Sequence, residues 1–229
     1  MITVHHLEHS RSQRILWLLE ELGVDYEIKH YKRDKETSLA PAELQRIHPL
    51  GKSPIITDGD VTVAESGAII EYLVHKYDIG RLLPPDGSPE RLTYSYWLHY
   101  AEGTFMPLMI LSLVINRIES APMPFFVKPI AKGIAGKVRA GYLDANVRRN
   151  LAFMEASLGD SDWFCGDELS AADVQMSFAV EAAEVRTSLR DDYPRLAAFL
   201  DRVRARPAYQ AALEKGGPYA LPGVNKGGG

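Results

Sequence analysis

The chain has 229 residues, 46% of them apolar and 24% charged, with a net charge of −4. That length holds one large domain or two modest ones, and the composition is that of an ordinary globular protein. The acidic balance argues against a nucleic-acid partner, and Cys165, the sole cysteine, excludes an internal disulfide and a CxxC redox pair. The opening Met-Ile-Thr-Val-His-His lacks the pattern of a signal peptide. The longest apolar run, Met106 to Ile115, contains Pro107 and is too short to span a bilayer. A cytoplasmic protein with no membrane partner is expected.

Ile2 to Leu7 is short and β-branched, which predicts a strand. A polar stretch, Glu8 to Ser12, leads into Arg14 to Leu22. Apolar residues at Ile15, Leu18, Leu19 and Leu22 have helical spacing there, and Gly23 stands where the helix should stop. Tyr26 to Tyr31 predicts a second strand, giving a β-α-β unit of ~30 residues. Pro41 to Ile47 predicts a short helix. Pro54 to Thr57 and Val61 to Val63 predict a hairpin about Asp58-Gly59-Asp60. Ser66 to Tyr77 predicts a helix with Ile69, Ile70, Leu73 and Tyr77 on one face.

Leu82 to Pro89 is rich in breakers and reads as a linker. After it come only helical patterns. They run over Glu90 to Ile118, bent at Pro107, then Lys132 to Leu158, Ser170 to Leu189, Pro194 to Ala205 and Pro207 to Lys215. The expected fold class is an α/β thioredoxin-like N-terminal domain, βαβαββα, followed by an all-α domain. The expected bounds are 1–80, a linker at 81–89, a helical domain at 90–220 and a tail at 221–229, with Gly227 to Gly229 disordered.

Two junctions carry chemistry. Pro54 opens a strand, and proline, which cannot donate to a ladder, belongs at an edge or a strand start. A cis Ser53-Pro54 bond would turn the backbone of residue 53 outward, where a peptide-like ligand could pair with it as an extra strand. Glu65-Ser66 stands at a helix N-terminus, where free N–H groups and the dipole attract a carboxylate. The Ser66 hydroxyl adds a donor and Glu65 can take an amine. A plain N-cap is the simpler reading of Ser66.

The segment His48-Pro49-Leu50-Gly51-Lys52-Ser53-Pro54-Ile55-Ile56 with Val63-Ala64-Glu65-Ser66-Gly67 resembles the glutathione-binding motif of cytosolic glutathione transferases. The opening His9-Ser10-Arg11-Ser12-Gln13-Arg14 resembles that family's catalytic loop, closest to a fungal and bacterial branch. The resemblance implies a cis Pro54, backbone pairing of residue 53 with the cysteinyl part of glutathione, the γ-glutamyl end at Glu65 and Ser66, and the glycyl end near Lys52. It also implies a homodimer, with glutathione as co-substrate and no metal. Ser53 departs from the more usual Val, which leaves backbone pairing intact.

Such an enzyme must hold glutathione as its thiolate, the actual nucleophile. Lowering a thiol pKa from about 8.5 by ~2 units takes about 2.7 kcal/mol. One hydroxyl donating to a charged acceptor supplies ~1.5–3 kcal/mol and a helix N-terminus roughly 0.3–1 more. Ser10 is the first choice for that hydroxyl, because Arg14 aligns with the family's common first-helix arginine. Ser12 is the alternative, or an N-cap, and backbone amides are a third source. No Tyr or Cys occupies this loop. Phe105, Met106, Met109 and Leu113 are candidates for a pocket holding a hydrophobic electrophile, with plain core as the equal alternative.

Ser170 and Asp173 have capping-box spacing and read as structural. Cys165 reads as a small buried apolar residue. Gly51-Lys52-Ser53 lacks the earlier glycine of a phosphate loop, because position 46 is Arg. His5 and His6 should face opposite sides of a strand, which disfavours a metal site with His9. Arg202, Arg204 and Arg206 read as a solvated helix face. The expected activity is glutathione transfer to a hydrophobic electrophile, with glutathione-dependent reduction of hydroperoxides as a side reaction. A glutathione-dependent isomerase and a non-catalytic binding module are the rivals.

Overall fold

The computed structural model describes residues 1–217 and 219–221. Strand β1 (Ile2–Leu7) is buried on both faces and is therefore central. The sheet has four strands in the order β2 (Tyr26–Tyr31), β1, β3 (Ile55–Asp58), β4 (Val61–Ala64). β1 runs parallel to β2, with Ile2 opposite Tyr26, and antiparallel to β3, with Ile2 opposite Asp58. The β3–β4 turn needs the left-handed backbone of Gly59, φ 59°. The parallel pair needs a crossover, and α1 (Ser12–Leu22) supplies it. Ile15 through Leu19 are all fully buried, so this helix lies inside the molecule. Gly23, φ 68°, ends it by donating to the Glu20 carbonyl.

The first helix starts at Ser12, two residues before the apolar spacing predicts, because the entering loop supplies the contacts that its first turn needs. Between residues 41 and 47 there is a 3₁₀ turn, Ala42–Arg46, and no α-helix. It places Leu44 over Leu7, Tyr31 and Ile55, a small core on one face of the sheet. Helices α1 and α2 (Ser66–Tyr77) pack against each other and join the main core.

The helical half begins at α3 (Pro89–Tyr100), where Ser88 accepts from the Arg91 N–H at 3.2 Å. The helix continues through a π turn, Ala101–Phe105, into α4 (Met106–Ser120). This wide turn directly precedes Pro107, where the sequence predicts a bend. The run Pro89–Ser120 contains a window apolar enough to cross a membrane, but half of that window is buried inside the protein. Helix α5 (Lys128–Val138) starts four residues before the expected Lys132, with Pro129 in its first turn. It continues through a second π turn into α6 (Asp144–Leu158).

Helix α7 (Ala171–Glu184) is the axis of the molecule. Every residue from Ala171 to Ala183 is buried, and it packs on α1, α2, α3 and α4. It ends at Glu184 and a separate turn, α8 (Leu189–Asp192), follows, where the sequence predicts one helix to Leu189. Asp173 holds its start. It accepts from the Ser170 N–H at 2.8 Å, the Ser170 hydroxyl at 2.7 Å and the Phe164 N–H at 2.8 Å. Burial pushes this carboxyl up to about 6, against the pull of those donors. Asp173→Ala strands three buried donors and should lower stability by about 2–3 kcal/mol. A urea midpoint equal to wild type would reject that role.

Helices α9 (Pro194–Ala205) and α10 (Pro207–Gly216) complete the fold. Arg202, Arg204 and Arg206 do not form a solvated face. They pair with Asp162, Glu184 and Glu21, tying α9 to three separate segments. Leu221, inside the expected tail, is buried in the core, and the Tyr219 hydroxyl donates to Glu181 at 2.7 Å. Gly227 to Gly229 lie outside the described residues.

Candidate functional site

The loop from β1 to α1 brings polar residues to a buried spot because β1 ends under the first turn of α1. Ser10, Ser12 and His6 are 6%, 0% and 3% exposed. Ser12 Oγ is 2.8 Å from Ser10 Oγ and 2.9 Å from His6 Nδ1. Ser10 Oγ also accepts from the Ser12 N–H at 3.2 Å, one of the N–H groups a helix start leaves unpaired. Ser12 is the first helical residue and Arg11 stands at the N-cap position without a side-chain cap bond, so Ser12 is not the N-cap. Ser10 Oγ reaches Ser53 Oγ at 3.4 Å. The Ser53 hydroxyl in turn donates to the His5 carbonyl at 3.0 Å, linking the loop before β3 to β1. The Ser53-Pro54 bond is cis.

Ser66 is 3% exposed and begins α2. Glu65 occupies the N-cap position and makes no cap bond, so the plain N-cap reading of Ser66 does not hold. The Ser66 hydroxyl accepts from Arg14 Nη2 at 2.6 Å, which leaves its own proton free to donate. Glu65 itself has φ 71°, a backbone that L residues adopt at a cost and that accompanies functional sites. Its side chain and that of Lys52 are exposed.

Arg14 is 2% exposed and joins the two halves of the chain. Besides Ser66 it donates to the Gln175 carbonyl at 2.7 Å and pairs with Glu102. Glu102 also accepts from Arg11 Nε at 2.9 Å. Burial alone would raise the Glu102 carboxyl, but Arg14 and Arg11 outweigh it and hold the group below its ordinary range. His9, φ 53°, accepts from the Ala220 N–H at 3.0 Å, so the end of the described chain lies against the same loop.

Phe105, Met106 and Met109 are 0%, 4% and 1% exposed and belong to the main core. They present almost no surface to a ligand, and the plain-core alternative fits them, because α4 turns that face onto its neighbours α5 and α7. Leu113 stays half-buried. Cys165 is pushed up to about 12 by burial and then by Asp173, which makes it an inert thiol. His5 turns to Tyr31 at 3.0 Å, away from His6.

Sequence spacing alone does not reveal His6 or Glu102 as parts of this cluster. Glu102 lies 88 positions from Arg14, and only the packing of α1 and of the π turn Ala101–Phe105 on α7 brings them together. For His6 the one available signal is the alternation of β1, which points it to the face under α1.

Residues 1–75 match the family model described as glutathione S-transferase, N-terminal domain, and residues 118–207 match that of the C-terminal domain. Glutathione S-transferase 1 of Saccharomyces cerevisiae is 33% identical over 223 residues, covering 94% of this chain and 95% of that protein. Glutathione S-transferase 3 of Schizosaccharomyces pombe is 36% identical over 215 residues, covering 94% and 88%. A solved glutathione S-transferase from Actinobacillus pleuropneumoniae superposes with a TM-score of 0.80 at 36% identity, covering 94% and 92%. With a thioredoxin-like sheet, a cis proline before β3, a buried serine at the start of α1 and these relatives along nearly its whole length, the chain belongs to the glutathione S-transferase family.

Proposed function

We propose that this glutathione transferase holds glutathione across the Ser53-Pro54 and Glu65-Ser66 segments and stabilises its thiolate with the Ser10 hydroxyl. The observation that carries the reading is the 3.4 Å approach of Ser10 Oγ to Ser53 Oγ. A cysteinyl residue paired with the backbone of Ser53 would have its sulfur beside Ser10. Ser12 is the poorer donor, because it is wholly enclosed and its hydroxyl lies between His6 and Ser10. At the other end of the ligand, the Ser66 proton and the first N–H groups of α2 would take the γ-glutamyl carboxylate. Glu65 would face the ammonium and Lys52 the glycyl carboxylate.

The thiolate would then attack an electrophilic carbon. A sulfur–carbon bond forms, and either a leaving group departs with its electron pair or the acceptor takes up a proton. Attack on a hydroperoxide oxygen by the same thiolate is a side reaction. The electrophile is hydrophobic, with Leu113 the candidate wall on α4. The enzyme works as a cytoplasmic homodimer. The exposed Leu92 and Tyr96 on α3 give such a dimer an apolar surface.

Ser66→Ala should weaken glutathione binding by about 1–3 kcal/mol, since Arg14 and the ligand carboxylate each lose a partner. Calorimetric titration measures it, and wild-type affinity would remove Ser66 from the site. Consumption of glutathione at turnover separates transfer from isomerisation, in which the thiol is returned.

A further inference from the structure

The cluster holds one ring that the proposed chemistry does not use. His6 is enclosed at the end of a row of hydroxyls: Nδ1 to Ser12 Oγ at 2.9 Å, Ser12 Oγ to Ser10 Oγ at 2.8 Å, Ser10 Oγ to Ser53 Oγ at 3.4 Å. We propose that His6 is a positioning residue which, through Ser12, sets whether the Ser10 hydroxyl proton points into the protein or out to the sulfur of glutathione. This rests on the reading of Ser10 as the donor to sulfur.

The argument is a count of protons. Each hydroxyl has one proton to give and lone pairs to accept with. If Nδ1 is bare, Ser12 donates to it and Ser10 donates to Ser12. Both protons then point inward and none remains for the sulfur. If Nδ1 carries a proton, it donates to Ser12, Ser12 donates to Ser10 at 2.8 Å in preference to the Leu7 carbonyl at 3.4 Å, and the Ser10 proton is free to point outward. Only the second direction stabilises a thiolate. The heavy atoms are the same in both, so the switch needs no movement of the backbone.

The surroundings of His6 make the two directions compete. Burial holds the ring to about 4, and His30 and His9 push the same way, so it has a single proton at neutral pH. The His30 ring stands edge-on at 5.6 Å. No carboxylate contributes to holding a second proton on this ring. The backbone of Gly216, at the end of α10, raises the ring's pKa as a hydrogen-bond acceptor does. With Nδ1 turned to Ser12, that acceptor favours the proton on Nε2 and with it the inward direction in the free protein. A thiolate beside Ser10 reverses the balance, because a hydrogen bond to a charged acceptor is the stronger, and chains of hydrogen bonds polarise one another. The ring keeps one proton throughout. Its N–H bond at Nε2 breaks and one at Nδ1 forms by exchange with water, while the thiol proton goes to bulk water. Glutathione binding thus selects the tautomer that serves it.

Nitrogen-15 spectra of the histidine rings read the tautomer directly. On adding glutathione to the wild-type protein above the pKa of the bound thiol, His6 should pass from the Nε2–H to the Nδ1–H form. S-methyl glutathione, which has no thiolate, should leave it in the Nε2–H form. A tautomer that is the same with both ligands overturns the proposal, and this measurement needs no variant to fold. In variants, His6→Leu and Ser12→Ala each remove an inward acceptor, so each should leave the Ser10 proton free for the sulfur and lower the pKa of bound glutathione, with the double variant no different from either. His6→Asn, whose amide can turn either its oxygen or its nitrogen to Ser12, should restore the wild-type titration. If Ser10→Ala raises the thiol pKa and His6→Leu does not lower it, His6 has no such role and the reading of Ser10 stands. If Ser10→Ala leaves it unmoved, both fall.

Discussion

Ser10→Ala raises the pKa of enzyme-bound glutathione by about 1–2 units, the equivalent of the ~1.5–3 kcal/mol that one charge-assisted hydrogen bond contributes. At neutral pH the thiolate fraction falls in proportion, so kcat/KM drops about 10- to 100-fold. The sign gives the expectation a second handle. Without the donor the ionisation moves up the pH scale, so the variant recovers as pH rises and approaches wild type once both thiols are ionised. Thiolate absorbance against pH gives the ionisation and the pH–rate profile gives the activity. A titration that stays in place would pass the role to Ser12 or to the backbone amides of the loop. Glutathione affinity should change little, since Ser10 touches only the sulfur in this reading.

Arg14→Met is expected to be the most damaging single change to the fold. It removes the guanidinium that satisfies Glu102, the Gln175 carbonyl and the Ser66 hydroxyl. Breaking a buried pair by deleting one member leaves an uncompensated charge and costs about 3–5 kcal/mol. Arg11 stays beside Glu102 and relieves part of it, which favours the lower end. The pH dependence should change as well. Glu102 has its folded pKa held below the unfolded value, so its contribution is present above the unfolded pKa of about 4.3 and is lost as pH falls through the folded one. The variant should therefore lose less stability on acidification than wild type does. Denaturant unfolding at neutral and acid pH tests both points. Equal unfolding free energies at neutral pH would show that the cluster is not what joins the two halves.

The two changes act on opposite sides of one site. In the proposed reading Ser10 meets the ligand sulfur, whereas Arg14 stands behind Ser66 and joins the start of α2 to α7. Glutathione affinity should fall in Arg14→Met even where the protein remains folded, because the Ser66 hydroxyl loses the donor that orients it. The Ser66→Ala variant shares that loss of affinity but not the loss of stability.

What was legible in the chain was whatever depends on neighbours in sequence. Alternation and helical spacing located β1, α1, β2 and α2, and Asp-Gly marked the β3–β4 turn, because these patterns follow from local backbone geometry. Pro54 and Glu65-Ser66 stood out for the same reason, since a proline at a strand start and a serine beside a helix start are local statements. Helix limits were less legible. The early start at Lys128 and the break after Glu184 depend on packing partners that a local pattern does not contain. The residue types on α4 were correctly read as apolar, but which of them faced a neighbouring helix was decided by tertiary packing. Phe105, Met106 and Met109 went to the core, and Leu113 kept its surface.

The sequence by itself determined the fold class and singled out the Ser53-Pro54 and Glu65-Ser66 segments and the pair Ser10 and Ser12 as candidates. Only the tertiary structure decided how those residues are wired. It put His6 behind Ser12, Ser53 beside Ser10, and Arg14 between Ser66 and Glu102, contacts between residues up to 88 positions apart. The physical reason is that a hydroxyl's chemistry depends on which neighbour takes its proton. That neighbour is chosen by the way β1, α1 and α7 pack.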